Sequence, residues 1–337
     1  MNGRKSVSLA DVARQAGVSS QTVSRVVRND PEVAVATRDR IQALLAELDY
    51  KPNLAARALA SSRTGVIHVL IAAPMFHGHA QAMIGVLEAA DAAGLHVTVS
   101  SGREALKAAR GRVGSLAPLS SDGVIILGGE APVVPLLKAV GERTPLVLAL
   151  AGEQKHGSFS TVSVDDVHGA RLAARHLMGR GVSELVNIIG PQTWVAAVQR
   201  RNGFAAACAE HGVHVREIAA DSWNATSGYA AMQRHPDAPL GLFAANDQLA
   251  LGAMRALHER GVSIPSDTAV VGFDDMAGAE SFYPPLTTVH LDFAGVGRAA
   301  VSELTARIGG SEPRDTIIEP VLVVRESSRR ADPEEQR

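Results

Sequence analysis

Gln21 and Arg25 stand four residues apart, the spacing that places two side chains on one face of a helix. A glutamine amide pairs with the major-groove edge of adenine, and an arginine fork pairs with guanine. Around them lie Ser19, Thr22 and Ser24, short hydroxyls suited to phosphate oxygens. A second group is spread far along the chain: Arg200, Trp223, Asn246 and Asp274. A guanidinium, a flat ring, an amide and a carboxylate are what a sugar asks of its site. Its hydroxyls need donors and acceptors, and its apolar face packs on a ring. Each residue also has a plainer reading. Asp274 could cap a turn, Asn246 could cap a helix, Trp223 could be packing, and Arg200 could hold a surface ion pair.

Other chemistry is poorly supported. The chain has neither a Gly-rich phosphate loop ending in Lys-Ser/Thr nor a Gly-x-Ser-x-Gly nucleophile elbow. His77-Gly78-His79 and the pair His211 and His214 could start a metal site, but no cysteine or carboxylate completes either set. Asp165-Asp166 and Asp274-Asp275 invite a glycosidase reading. Neighbours in a loop do not by themselves face each other across a sugar. The expectation is therefore no metal, no cofactor and no catalysis.

The elements that must position these groups fall into two kinds. Residues 1–52 read as short helices. Leu9, Val12, Ala13 and Ala16 repeat at i, i+3, i+4 and i+7. Ser8 with Asp11 fits a capping box, and Gly17 ends that helix. Ser19 can cap a second helix running to about Arg28, with Val23, Val26 and Val27 inward. A third begins near Thr37, with Ile41, Leu44, Leu45 and Leu48 on its buried stripe. A helix, a turn with Gly and a second helix make the DNA-reading helix-turn-helix. Asn53 could cap a segment over 54–60, too short to be stable alone; it is expected to fold only on DNA.

From Val66 apolar runs alternate with helical stretches. Strands are expected at 66–72, 95–100, 123–127, 145–150, 161–164, 185–190, 240–244, 268–273 and 321–325. Helices are expected near 80–93, 103–117, 132–140, 166–179, 195–211, 225–234, 246–260 and 293–309. Alternating β and α implies parallel sheets, and this many strands implies two lobes with a cleft. Ligands of open parallel sheets bind beyond the carboxyl ends of the strands, where Arg200, Trp223, Asn246-Asp247 and Asp274-Asp275 all fall.

Composition agrees. The chain has 337 residues, 46% hydrophobic but only 4% aromatic, so the core is built of Ala, Val, Leu and Ile. The net charge is −2, unevenly placed. Residues 1–62 hold nine Lys/Arg against six Asp/Glu, a surplus of +3 that leaves −5 for the rest. A basic head on an acidic body points to a polyanion for the head. The single cysteine, Cys208, allows no intrachain disulfide, which fits a reducing compartment. No secretory signal and no membrane span are read, so the expected location is the cytoplasm, at the nucleoid.

Several stretches together carry a resemblance. They are Leu9-Ala10-Asp11-Val12-Ala13, Ala16-Gly17-Val18-Ser19, Gln21-Thr22-Val23-Ser24-Arg25-Val26 and the run from Tyr50 to Ala60. Asn246-Asp247-Gln248 with the helix after it, and Pro284-Pro285-Leu286-Thr287-Thr288, extend it. The chain resembles the lactose-repressor/galactose-repressor family of transcriptional regulators as far as about residue 326. The resemblance implies base reading by Ser20, Gln21 and Arg25, with Ser20 smaller than is common there. It implies phosphate contacts from Ser19, Thr22, Ser24, Thr37, Tyr50 and Asn53, and a minor-groove wedge at Leu59. It further implies effector contacts from Arg200, Trp223, Asn246 and Asp274, with Phe76, His79 and Phe293 lining the opposing wall. Leu291 and Ala149 stand where relatives carry a polar and an acidic pocket residue.

The expected architecture is an all-α helix-turn-helix domain over 1–52, a hinge and linker over 53–64, and a two-lobed α/β effector domain of periplasmic-binding-protein type over 65–330. One lobe takes 65–163 and 293–320, the other 164–292 and 321–330, with a disordered tail at 331–337. The expected function is a repressor, acting as a homodimer on a pseudo-palindromic operator and released by a small sugar-like effector. No leucine-rich C-terminal helix of the kind that makes tetramers follows the last strand. Two alternatives stay open: a co-repressed regulator, and a sugar-binding protein of a transport system.

Overall fold

In the computed structural model the chain forms two compact units, Met1–Thr64 and Gly65–Arg337. The structure describes residues 7–27, 30–50, 63–102, 121–128, 137, 144–150, 152, 157–235 and 237–329. The helices expected at 103–117 and 132–140, the segment 53–60 and the tail lie outside them, apart from Leu137.

The first unit packs α1 (Leu9–Ala16), α2 (Ser20–Val27) and α3 (Val35–Glu47) around a small core. Val12, Ala13 and Ala16 of α1 meet Val23 and Val26 of α2, Ile41 of α3 and Val33 before it. The caps work as the spacing predicts. Ser8 accepts from the Asp11 amide, and the Asp11 carboxylate accepts from the Ser8 amide at 3.0 Å. Gly17 ends α1 at φ 64°, a conformation that favours glycine. The third helix starts at Val35, a little before the position expected from its apolar stripe, and has no side-chain cap at Ala34.

The second unit holds two six-stranded sheets. The strands of the first are β1 (Val66–Ile71), β2 (His96–Ser101), β3 (Gly123–Leu127), β4 (Leu146–Ala149), β5 (Ser160–Val164) and β11 (Asp315–Ile318). Their order is β11-β5-β4-β3-β1-β2. The second sheet has β6 (Glu184–Ile189), β7 (His214–Ala219), β8 (Gly241–Ala244), β9 (Ala269–Asp274), β10 (Thr287–His290) and β12 (Val321–Val323). Its order, β12-β10-β9-β8-β6-β7, repeats the first. Pairing is parallel except between β10 and β12. The inner strands β3, β4, β5 and β8 are buried at every position, because helices cover both faces.

The helices among the described residues are α4 (His77–Ala92), α5 (Asp166–Met178), α6 (Val195–Glu210), α7 (Ala225–Gln233), α8 (Asp247–Glu259) and α9 (Phe293–Ile308). They pack in pairs through glycine contacts. Gly85 and Gly297 let α4 and α9 touch backbone to backbone, and Gly228 and Gly252 do the same for α7 and α8. Such close crossings explain how an aromatic-poor chain fills its core with small residues. The strand at β7, unpredicted, is an edge strand whose His214, Arg216 and Glu217 hide its apolar alternation. The strands β10 and β11, also unpredicted, are only four residues long.

Candidate nucleic-acid interface and ligand pocket

In the first unit α2 buries Val23 and Val26 and turns Ser20 and Gln21 to the surface. Its start is capped by Ser19, whose Oγ accepts from the Thr22 amide at 3.1 Å. The Ser19 and Thr22 hydroxyls are also bonded to each other at 2.9 Å. Both groups expected to touch phosphate therefore help to cap α2 in the free protein, with one hydroxyl proton left between them. Arg25, Ser24 and Thr37 are half-buried. The guanidinium of Arg25 lies 3.9 Å from Asp30 and 3.7 Å from Glu32. Tyr50 packs against the small core, and burial raises its phenol pKa. Asn53 and Leu59 lie outside the described residues.

In the second unit Phe76, His79, Arg200, Trp223, Asn246, Asp274 and Phe293 line one cavity. Each lies at or beyond the carboxyl end of a strand. The cavity has about 110 Å³ open to the centres of water-sized molecules, several times the roughly 10–15 Å³ one water needs. It therefore has room for a small molecule.

Arg200 is the centre of the floor. It sits six residues into α6 and is 5% exposed. Its Nε donates to Asp166 Oδ1 at 2.7 Å. Its Nη1 donates to the Ala245 carbonyl at 2.7 Å and to Asp274 Oδ1 at 2.9 Å. The guanidinium stacks on the Phe273 ring, 4.0 Å from its centroid. This is a buried pair network, so the surface ion pair is excluded. Burial works against Arg200's charge, yet the two carboxylates hold its pKa above the usual value. Burial likewise lifts Asp166 and Asp274, and Arg200 pulls both back. Asp274 stands at φ 105° and Asp275 at φ 51°, backbone that side-chain-bearing residues rarely adopt. That strained turn splits two adjacent carboxylates. Asp274 goes to Arg200, and Asp275 goes to Arg325 at 2.8 Å and His290 at 3.1 Å.

Asn246 does cap a helix. Its Oδ1 accepts from the Leu249 amide at 2.8 Å, and its Nδ2 donates to the Trp223 carbonyl at 3.1 Å. The cap leaves one N–H and one lone pair for the cavity, and it ties Trp223 to the floor. Gly190 lies under the Trp223 ring so closely that a Cβ there would stand 2.5 Å from it. His79 donates from Nε2 to the Gly128 carbonyl at 2.8 Å, which makes Nδ1 an acceptor when the ring is neutral. Burial pushes its pKa down, keeping it neutral.

From the sequence, Trp194 goes unread, Asp166 is weighed only as half of a hydrolytic pair, and Asp247 is placed past a strand end without a role; all three line the cavity. Trp194 joins the two sides of the aromatic wall. It meets Phe76 at 5.6 Å, His79 at 5.7 Å and Trp223 at 6.2 Å, all edge to face. Asp247 is buried beside Asn246. Its Oδ1 accepts from the Thr288 hydroxyl and its Oδ2 from the Met276 amide at 2.7 Å. Burial, and then the charge of Asp274, push its pKa up to about 8. The rule that found Asn246, a polar residue just past a strand, points equally to Asp166 after β5. Ala149 and Leu291 are buried and do not line the cavity, where Leu150 and Val164 stand on the wall. Cys208 is buried in α6 and its thiol is pushed up to about 11.

The two units define a class: a helix-turn-helix head carried with a two-lobed binding body. Residues 8–53 match the model of bacterial regulatory proteins of the lacI family, and residues 174–328 match a periplasmic binding protein-like domain. The lactose operon repressor of Escherichia coli (strain K12) is 33% identical over 337 residues, 95% of this chain and 90% of the relative. The regulator CelR of Thermobifida fusca is 34% identical over 350 residues, 97% of this chain and 100% of the relative. Among solved structures, the lac repressor dimer bound to operator and the anti-inducer ONPF superposes with a TM-score of 0.82. It is 30% identical, covering 96% of this chain and 99% of that one. A CelR–cellobiose complex superposes at 0.69 with 31% identity, covering 96% and 100%. The chain belongs to the lacI family of bacterial regulatory proteins.

Proposed function

We propose that this protein is a transcriptional repressor of sugar-utilisation genes. It binds a pseudo-palindromic operator as a homodimer and releases it when a small sugar-like effector enters the cavity of the second unit. Ser20, Gln21 and Arg25 read bases, and Ser19, Thr22, Ser24, Thr37, Tyr50 and Asn53 meet phosphates. Leu59 is the minor-groove wedge. Arg200, Asp166 and Asp274 bind ligand hydroxyls, with Trp223, Trp194, Phe76 and Phe293 against the sugar face and His79 and Asn246 completing the polar set.

One observation carries the reading: Arg200 held between two carboxylates beside a tryptophan, at the carboxyl ends of the strands. Each carboxylate gives one oxygen to Arg200, and among the described residues their second oxygens take part in no hydrogen bond. Paired acceptors beside a fork of donors suit vicinal hydroxyls. The relatives' complexes with operator and with cellobiose support the same partners. The protein acts by binding and in the cytoplasm. Each acid of the pairs that invited a hydrolysis reading also has a structural partner. Asp165 caps α5, Asp166 and Asp274 hold Arg200, and Asp275 holds Arg325.

The test is fluorescence anisotropy of the purified protein on duplex DNA from upstream of its own gene, at fixed salt, with and without a sugar panel. Tight binding that one sugar reverses is the expected result. Binding that appears only with ligand would make it co-repressed. Weak, sequence-independent binding across genomic fragments would overturn the repressor reading.

A further inference from the structure

Arg25, assigned to read a base, is not free in the DNA-free protein. Its Nε lies 3.9 Å from Asp30 Oδ2 and its Nη1 lies 3.7 Å from Glu32 Oε2. The side chains are 42%, 29% and 74% exposed in that order, so all three share one surface. Asp30 is anchored. Its Oδ1 accepts from the Glu32 amide at 3.0 Å, and its carbonyl accepts from Arg38 Nη2 at 2.7 Å. Arg38, on α3, also donates to the Val33 carbonyl at 3.3 Å. The segment carrying both acids is thus fastened to the start of α3 and holds them beside α2.

Two carboxylates beside the reading arginine oppose any polyanion, because phosphates are repelled at that point. They lower general affinity, so what they can add is discrimination. Both distances to Arg25 exceed hydrogen-bond length, and a good acceptor can draw the guanidinium away. Guanine presents two in-plane acceptors, N7 and O6, matched to the arginine fork. Adenine sets an amino donor beside its N7, cytosine presents an amino donor, and thymine offers the single acceptor O4, so none of them matches the fork and Arg25 stays with the acids. A single phosphate offers charge but must approach both carboxylates. Discrimination built on penalising the wrong partner is a general device of specific binding.

We propose that Asp30 and Glu32 form an acidic clamp on Arg25, and that Glu32 is a specificity-determining residue of the head. The clamp makes release of Arg25 conditional on guanine. It rests on the reading of α2 as the operator-reading helix.

The test uses the full chain and a randomised duplex pool, with selection by the wild type, Arg25→Ala, Glu32→Gln and Asp30→Asn. Glu47→Gln removes the same charge from an exposed acid at the far end of α3 and reports the long-range effect alone. The wild type should enrich a palindrome. Arg25→Ala should lose one guanine in each half-site, which locates the contact. Glu32→Gln should bind a scrambled duplex about 3- to 10-fold tighter while its preference for that guanine falls by a similar factor. Asp30→Asn should act in the same direction. Glu47→Gln should raise all affinities evenly and leave the preference intact. An unchanged guanine preference in Glu32→Gln, or an even gain like that of Glu47→Gln, would overturn the clamp. If the wild type itself enriches no sequence, the operator reading fails first and takes the clamp with it.

Discussion

Two buried ionisable residues at the pocket floor, Asp247 and Arg200, make opposite demands on solvent pH. Asp247 has a folded-state pKa pushed up to about 8, well above the unfolded carboxylate. The folded protein therefore holds a proton that the unfolded chain gives up. That stability is complete at acid pH and is lost as pH rises toward 8. Asp247→Asn should flatten the fall, which approaches about 1.4 kcal/mol per pH unit at its steepest. Urea unfolding of both proteins between pH 5 and 8.5 measures it, and parallel curves would place the proton elsewhere. Arg200 works the other way. Arg200→Leu leaves Asp166 and Asp274 buried without a cation, a loss of about 3–5 kcal/mol for a broken buried pair. The loss should shrink at pH 5, where both carboxyls can take a proton, and grow toward neutrality. A deficit independent of pH would mean that packing, not charge, is what Arg200 supplies. At this scale the sequence was informative where a residue's chemistry is unusual in its place. A tryptophan, an arginine and an Asn-Asp pair past strand ends are such cases. Trp194 obeys the same rule and goes unread, and Asp166 is read only as half of a hydrolytic pair. The orientation that brings Asp274 to Arg200 depends on a backbone of φ 105°, and nothing in the composition of that loop announces it.

Elements hold these residues by close packing. Gly252 on α8 faces the Ala225 carbonyl of α7 so tightly that a Cβ there cannot fit without movement. Gly252→Ala gains about 1 kcal/mol of helix propensity, but overpacking costs about 1–3 kcal/mol, so the variant should be less stable. Because α8 begins at the residue after Asn246 and carries Asp247, the shift should also disturb the pocket floor. Tm and effector affinity should fall together, and a rise in Tm would show that α7 can move aside cheaply. The small-residue crossings explain which elements were readable. Inner strands are continuous apolar runs, and amphipathic α5 and α8 show their stripes, so both kinds were placed within a few residues. The edge strand β7 sets Arg216 and Glu217 side by side, which breaks the alternation of a strand, and β10 and β11 are too short for a period to register. The expected start of α3 near Thr37 followed the apolar stripe, whereas the helix begins at Val35, which is exposed and marks no stripe.

At the scale of the whole molecule, the second unit leaves the apolar side chains Ile84 and Leu87 together on its surface. Ile84 and Leu87 are 45% and 46% exposed. Three residues apart on α4, they share one helix face. A second chain covering that face would remove both from water, at roughly 25 cal/mol per Å² of apolar area buried. The operator reading needs such a partner, since a pseudo-palindrome is read by two heads. Joining the heads turns the second half-site contact into an intramolecular event, and avidity of about 10²–10⁴ is typical of such linkage. Leu87→Glu places a charge on the proposed dimer face and replaces neither a base-reading residue nor a lining residue of the cavity. It should shift sedimentation toward monomer and weaken operator binding steeply, while binding of an isolated half-site stays near the wild-type value. Effector binding should also persist, because neither Ile84 nor Leu87 lines the cavity. A Leu87→Glu protein that remains dimeric would move the interface to other exposed apolar side chains, with Tyr283, 94% exposed, the first to examine. If the variant is monomeric yet binds the full operator as tightly as the wild type, one head suffices, and the symmetry argued for the operator is wrong.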